Sequence, residues 1–207
     1  MLTLGRVAVT GGIASGKSTA CRIFKELGAY VVSADDIVHQ LLTPNNSVGK
    51  NVIKLLGDGI VVDNCIDRKK IAEIVFNQPK LLLSLESLIH PAVRDEIDKC
   101  YYTATQQKKC TLFVVEIPLL FEMGAEKKFD YSVCVVSDYD TCVKRYIEST
   151  GRTKEDYDKR MSNQMSPEKK AQKASWTVHN DGTIDGMRES ITKIYHTLVS
   201  NNKPNAA

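Results

Sequence analysis

Much that would tie a chain to a membrane, a metal or a polyanion is missing from these 207 residues. The most apolar stretch, Leu112 to Leu120, is short and carries Glu116, so no segment is long enough to span a bilayer. The start, Met1-Leu2-Thr3-Leu4-Gly5-Arg6, lacks the charged region and apolar core of a signal peptide, and a cytoplasmic location is expected. The six cysteines, Cys21, Cys65, Cys100, Cys110, Cys134 and Cys142, form no C-x-x-C pair and several lie in apolar stretches. They read as reduced thiols rather than disulfides or zinc ligands. His39, His90, His179 and His196 are dispersed without metal-ligand spacing, which argues against a zinc site. A net charge of +3 is too small to indicate nucleic acid, although it suits a site for anionic phosphates. No internal repeat exists, and the length allows one substantial α/β core with an inserted subdomain.

What is present is Gly11-Gly12-Ile13-Ala14-Ser15-Gly16-Lys17-Ser18, which fits the phosphate-binding loop pattern G-x-x-x-x-G-K-[ST]. The apolar run Val7-Ala8-Val9 before it reads as a buried strand. Ile23, Phe24 and Leu27 after it fall at helical spacing. Glycines belong where backbone N–H groups must converge on a phosphate without side chains in the way. The following helix N-terminus adds its dipole, Lys17 supplies a mobile charge for the β- and γ-phosphates, and the Ser18 hydroxyl is a ligand type suited to Mg²⁺.

Tyr30-Val31-Val32 is a second strand, ending at Ser33-Ala34-Asp35-Asp36. Ligands gather at the carboxyl ends of parallel strands, which favours a catalytic Asp35; the alternative is that Ser33 or Asp35 caps the next helix. Residues 43–106 read as a mainly helical insertion, with a turn or hairpin at Gly57-Asp58-Gly59 and Asp63-Asn64 and an interruption at His90-Pro91. Leu112–Glu116 is the next buried strand. Glu116 either approaches Mg²⁺, as a carboxylate after an apolar strand does in nucleotide sites, or turns away from the site.

Tyr131–Val136 is a further strand, followed by a helix that the pattern Ser137-x-x-Asp140 opens as a capping box. Between about 145 and 173, charges of both signs crowd together, including Arg145, Arg152 and Arg160. This composition fits a helical lid that closes arginines over phosphate, and it also fits an ordinary solvated helix pair. Ser175–His179 reads as the last strand, with a turn at Asn180-Asp181-Gly182, a final amphipathic helix, and a frayed tail from Asn201 to Ala207. Thr153-Lys154-Glu155-Asp156 matches the guanine-reading pattern [NT]-K-x-D. No D-x-x-G accompanies it, so a GTPase-like switch is the weaker reading.

Thr10–Ser18, Ala34–His39, Leu88–Val93, Pro118-Leu119-Leu120-Phe121-Glu122 and Asn180-Asp181-Gly182 occur in an order that resembles dephospho-coenzyme A kinases, from Val7 to the last helix. The resemblance implies a P-loop nucleoside triphosphate hydrolase-like parallel sheet flanked by helices, with a helical acceptor-binding insertion and a lid. It implies Mg²⁺ as cofactor and ATP-dependent phosphorylation of the ribose 3′-hydroxyl of dephospho-coenzyme A, the last step of coenzyme A biosynthesis. On matching positions, Gly12, Ile13, Ala14, Ser15, Gly16, Lys17, Ser18 and Thr19 would hold ATP, with Ser18 on the metal, and Asp35 would be the base. His90, Pro91, Leu120 and Phe121 would contact the acceptor. Arg145 and Arg160 would be lid arginines, with Arg145 catalytic beside Lys17 and Arg152 a lid candidate in place of the arginine missing at Ser149, and Gln164 lies where the family often has glutamine. Two positions depart from the family pattern: Ser33 stands where an aspartate is common, and Ser149 where an arginine usually follows the one matching Arg145.

Overall fold

The computed structural model describes residues 4–75, 78–107 and 109–201. Along the chain run β1 (Gly5–Gly11), α1 (Lys17–Glu26), β2 (Tyr30–Ser33), α2 (Ala34–Leu41) and α3 (Ser47–Leu56). A short hairpin, β3 (Val61–Val62) and β4 (Cys65–Ile66), precedes α4 (Arg68–Val75) and α5 (Pro79–Gln106). Then come β5 (Leu112–Glu116), β6 (Tyr131–Val136), α6 (Tyr139–Thr150), α7 (Lys154–Met161), α8 (Pro167–Lys173), β7 (Trp176–His179) and α9 (Ile184–Asn201). Two compact units result: one takes the chain up to Val32 and again from Tyr102, the other takes Ser33–Tyr101.

The first unit holds a five-stranded sheet in the order β2-β5-β1-β6-β7. β1 pairs in parallel with β5 and β6, and β6 with β7. A parallel sheet covered on both faces is built from continuous apolar runs, which is why Val7-Ala8-Val9 and Leu112–Val115 show no polar alternation. Val7, Val9, Val114, Val133 and Val135 share one core with Ile23 and Phe24 of α1 and with Ile191 and Leu198 of α9. Their neighbours Ala8, Thr10, Phe113, Val115 and Cys134 are equally buried. β1 is the middle strand, and its carboxyl end is where the glycine loop begins.

The second unit is helical with the β3–β4 hairpin, which turns at Asp63-Asn64, both left-handed (φ 48° and 59°). Leu42, Val52, Ile60, Ile66, Ile71 and Leu85 form its core, with Val38 packed against them. The insertion therefore begins earlier than residue 43: α2 is part of it, because Val38 and Leu42 bury their side chains there. A second correction concerns His90-Pro91. α5 runs through Pro91 without a break. The carbonyl that Pro91 leaves without an amide donor is that of Ser87, an exposed residue whose backbone can turn to water, so the usual cost of an internal proline is reduced. α9 extends through Asn201, and the expected tail beyond it, 202–207, lies outside the described residues. No helix among the described residues is long and apolar enough to cross a membrane.

Candidate active site

Every contact of the candidate site described next lies within the first unit. β1 ends at Gly11 and α1 starts at Lys17, and three residues between Gly11 and Gly16 adopt backbone geometry that L side chains resist: Gly11 at φ 145°, Ala14 at 56° and Gly16 at 101°. A Cβ at Gly11 would meet the Val135 carbonyl and Ser15 Oγ, and one at Gly16 would meet the Asn180 amide. Glycine is therefore required at both positions, and strained Ala14 between them is the pattern expected of a ligand-binding nest. Gly16 is the N-cap of α1 and supplies no side-chain cap, which leaves that helix terminus suited to an anion. Ser15 is 1% exposed and its Oγ has no hydrogen-bond partner among the described residues. Lys17 Nζ donates to the Gly12 carbonyl at 2.8 Å.

Glu116 faces the loop. Ser18 Oγ donates to Glu116 Oε1 at 3.0 Å, which places an oxygen pair of the hard type favoured by Mg²⁺ at the start of α1. The sequence alone left that carboxylate's direction open. Parallel register settles it: Val9 pairs with Glu116, so the acid sits at the end of β5 level with the last turn of β1 before the loop.

A polar frame backs the loop from the β6 and β7 side. Asn180 Nδ2 donates to the Ser15 carbonyl at 2.8 Å, while the Asn180 carbonyl accepts from Arg145 Nη2 at 2.9 Å. The Ser137 hydroxyl lies 2.6 Å from Asp181 Oδ1 and 2.9 Å from the Asn180 carbonyl, and Arg145 Nη1 donates to it at 3.2 Å. The capping box expected at Ser137-x-x-Asp140 does not form. Asp138 is the N-cap of α6 and makes no side-chain cap bond, because Ser137 is engaged by the turn after β7. Asp181 also accepts the Asp138 N–H at 2.6 Å. The Ser137 hydroxyl first, then the Asp138 amide and the charges of His179 and Arg145, hold the Asp181 carboxyl below its ordinary range against some desolvation.

The segment read as a lid is not uniformly solvated. Cys142, Val143, Tyr146 and Tyr157 form a buried cluster to which Ile13 and Ala14 of the loop and Met161 add. A cleft of ≈ 130 Å³ opens beside it, lined by Gly12, Ser15, Ser137, Tyr139, Tyr157 and Pro167 among others. Thr153 caps α7 by accepting from the Asp156 N–H, so the T-K-E-D match is the start of a helix rather than a base-reading loop. Lys170, which reads in the sequence as one more surface charge, is wholly buried and paired with Glu122.

The three arginines are placed differently. Arg145 is committed to the Ser137–Asn180 frame, Arg152 is half-buried beyond the end of α6, and Arg160 is exposed on α7. Gln164 Oε1 is buried without a hydrogen-bond partner among the described residues. Leu120 has no exposed surface and is a packing residue here; Phe121 is nearly buried, with Lys173 Nζ 5.8 Å from its ring centroid. In the second unit, Asp35 is exposed on the first turn of α2. Ser33 is the cap of that helix, accepting from the Asp36 N–H, so the Asp35 carboxylate is not used for capping. His90 is half-buried and Pro91 exposed on α5.

The family model for dephospho-CoA kinase matches residues 6–186. The chain belongs to the dephospho-CoA kinase family. It is 42% identical over 199 residues to a dephospho-CoA kinase of Protochlamydia amoebophila (strain UWE25), covering 96% of this chain and 98% of that one. It is 41% identical, with the same coverage, to a dephospho-CoA kinase of Chlamydia pneumoniae. Among solved structures it resembles TT1252 from Thermus thermophilus (TM-score 0.82, 27% identity, 94% and 98% of the two chains). It also resembles the dephospho-CoA kinase from Campylobacter jejuni (TM-score 0.69, 28% identity, 96% and 98%). A shikimate kinase from Bacteroides thetaiotaomicron, at 12% identity and TM-score 0.53 over 94% and 98% of the chains, shares the fold. The fold is that of a P-loop kinase. The dephospho-CoA kinase match spans both the glycine loop and the helical unit, so the resemblance seen in separate motifs holds across the chain.

Two side chains, one in the frame and one beside Glu122, escaped the sequence reading of this dephospho-CoA kinase family member. Asn180 was part of a recognised motif, yet only the fold brings its amide to Ser15. Lys170 lay inside a charge run, where its spacing did not separate it from the exposed Lys169 and Lys173 of the same helix.

Proposed function

We propose that the protein transfers the γ-phosphoryl group of ATP to the ribose 3′-hydroxyl of dephospho-CoA, giving CoA and ADP, the final step of CoA biosynthesis. The observation that carries the reading is the strained glycine loop with Ser18 bonded to Glu116, in a chain of this family. The loop amides and Lys17 bind and orient the triphosphate. The buried Ser15 hydroxyl, without a partner among the described residues, and the glycine cradle fit a phosphate ligand, and the oxygen pair of Ser18 and Glu116 fits Mg²⁺. Those two residues would hold the metal, which when bound neutralises phosphate charge.

In this reading Asp35 accepts the proton of the 3′-hydroxyl as its oxygen attacks the γ-phosphorus in line, and the bond to the β-bridging oxygen breaks with ADP leaving. Residues 43–106, with α2 added, form the acceptor-binding region through His90 and Pro91, and Leu120 and Phe121 contribute from the segment after β5. Residues 145–173 form the lid, whose arginines 145, 152 and 160 stabilise the transferred charge and exclude water. The reaction is cytoplasmic and needs neither nucleic acid nor a membrane.

The test is ADP release from Mg·ATP with dephospho-CoA, adenosine, other nucleosides or no acceptor, and with GTP in place of ATP. Rapid release confined to ATP with dephospho-CoA, accompanied by CoA, is the expected result; no stimulation by that acceptor while ATP still binds would overturn the substrate. Asp35→Asn is expected to keep the fold and ATP binding and to slow transfer by roughly 10²- to 10⁴-fold. Turnover near the parental rate in that variant removes Asp35 from the mechanism.

A further inference from the structure

Lys170 is the one charged residue in the core among the described residues, with no side-chain surface open to solvent. Its Nζ lies 2.9 Å from Glu122 Oε1 and donates to the Pro118 carbonyl at 2.7 Å. The Pro118 carbonyl also accepts from Thr10 Oγ1 at 3.2 Å, and the same Glu122 oxygen accepts the Met165 N–H at 2.8 Å. One ammonium thus joins three stretches of chain. Thr10 is the residue before the first glycine of the loop, Pro118–Glu122 is the segment that carries Phe121, and Met165 lies in the connection between α7 and α8. The helix ends that this connection joins lie against the loop, since a Cβ on Gly12 would stand 3.6 Å from both Met161 Cε at the end of α7 and Pro167 Cγ at the start of α8.

A buried ion pair contributes little net stability, because desolvating two charges offsets their attraction and an apolar pair of similar volume does as well. What an apolar pair lacks is direction: it cannot fix a carbonyl and an amide from separate segments at set angles. The Glu122 carboxyl is pushed up by burial but pulled down further by Lys170, by its own amide and by that of Met165, so it is held below its ordinary range. The charge also reaches the end of β6, where Lys170 and Lys17 both act on Cys134, although burial still pushes that thiol up to about 11.

We propose that Lys170 is a positioning residue for nucleotide binding and transfer: through Pro118 and Glu122 it fixes the α7–α8 connection against Gly12 and so sets the shape of the phosphate loop. It touches no reacting atom. The transfer step rests on the kinase reading above, whereas the effect on ATP affinity does not, so the two can fail separately.

Lys170→Met alone would strand the Glu122 charge, so the deciding variant is Lys170→Met combined with Glu122→Gln. Three quantities are read in the full chain: the melting temperature, the ATP dissociation constant by calorimetric titration, and kcat with dephospho-CoA. The expected result is a melting temperature near the parental value, an ATP dissociation constant raised roughly tenfold and kcat reduced by up to about 10²-fold, as for a displaced site held by remote contacts. A folded double variant with parental affinity and kcat overturns the proposal, as does a loss of affinity that merely tracks the melting temperature across variants. If the double variant does not fold, Thr10→Val decides, because it removes one arm of the network while keeping its shape: a two- to threefold rise in the ATP constant is expected, about the loss of one hydrogen bond, and unchanged affinity overturns the proposal. Lys193→Met, which breaks the exposed pair with Glu189, serves as the control and should alter neither constant. A parental enzyme that binds ATP but does not turn over dephospho-CoA refutes the kinase reading and leaves the affinity comparison intact.

Discussion

The N-termini of α1 and α7 both carry sequences that match nucleotide-binding patterns, and the structure treats them in opposite ways. At α1 the cap is Gly16, with no side chain to offer and with φ of 101°. At α7 Thr153 turns its hydroxyl onto the Asp156 N–H. One terminus is left for an anion from outside, and the other is satisfied by its own chain. Residue spacing alone does not separate the cases, because threonine and aspartate three apart serve equally as a base-reading pattern and as a helix start. A third terminus lies between them: the Asp138 N–H, at the entrance to α6, is taken by Asp181 from the turn after the adjacent strand β7.

The comparison breaks first at Gly16. Gly16→Ala puts a Cβ into the Asn180 amide at a left-handed position, a cost of about 1–3 kcal/mol, and is expected to lower ATP affinity at least tenfold along with the melting temperature. Calorimetric titration with ATP checks it, and affinity equal to the parent would mean that an open terminus at α1 is not what binds the phosphates. Thr153→Ala should cost about 1 kcal/mol of stability in denaturant unfolding while leaving the preference for ATP over GTP untouched. A shift in nucleotide preference would return Thr153-Lys154-Glu155-Asp156 to the base-reading role.

The smallest effect is expected from Asp181→Asn. The folded carboxyl of Asp181 is held below its unfolded value of about 3.9, chiefly by the Ser137 hydroxyl. Its contribution is therefore present above that unfolded value and is lost as pH falls through the lower folded value. Melting temperatures of parent and variant should differ at neutral pH and converge in acid. A constant gap down through that range would mean that the carboxylate charge is not what secures the entrance of α6.

The sheet and its loop were legible because the central strands carry short apolar runs and each turn of the loop needs a residue type that little else explains. Val7-Ala8-Val9, Leu112–Val115 and Tyr131–Val136 could be read directly, and Asp63-Asn64, readable as a turn or a hairpin, is the turn of a hairpin. What failed was any inference that depended on a partner far along the chain. Ser137 looked like a cap until Asp181, from the turn after another strand, engaged its hydroxyl. Glu116 had no readable direction until Val9 fixed its register, and Lys170 looked solvated until Pro118 and Glu122 surrounded it. Pro91 misled for a different reason: the sequence records the missing amide but not that Ser87, whose carbonyl loses its partner, is exposed to water. In the candidate site, the residues of the loop could be named in advance, whereas Asn180, the residue that braces the loop at Ser15, needed the fold.

The central position of β1 bears on how the protein is made. Both strands that flank it come late, with Gly5 opposite Leu112 and Val7 opposite Tyr131. During synthesis at roughly 5–20 residues per second, β1 leaves the ribosome several seconds before either neighbour exists. The helical unit between, Ser33–Tyr101, is complete within that interval and has a core of its own. β1 thus waits for both of its partners, and until then an apolar strand with two open edges has to be kept from pairing elsewhere. Slow or interrupted translation between α5 and β6 would lengthen that exposure, so the yield of active enzyme from a cell should depend on the codons of this stretch more than on those at either end.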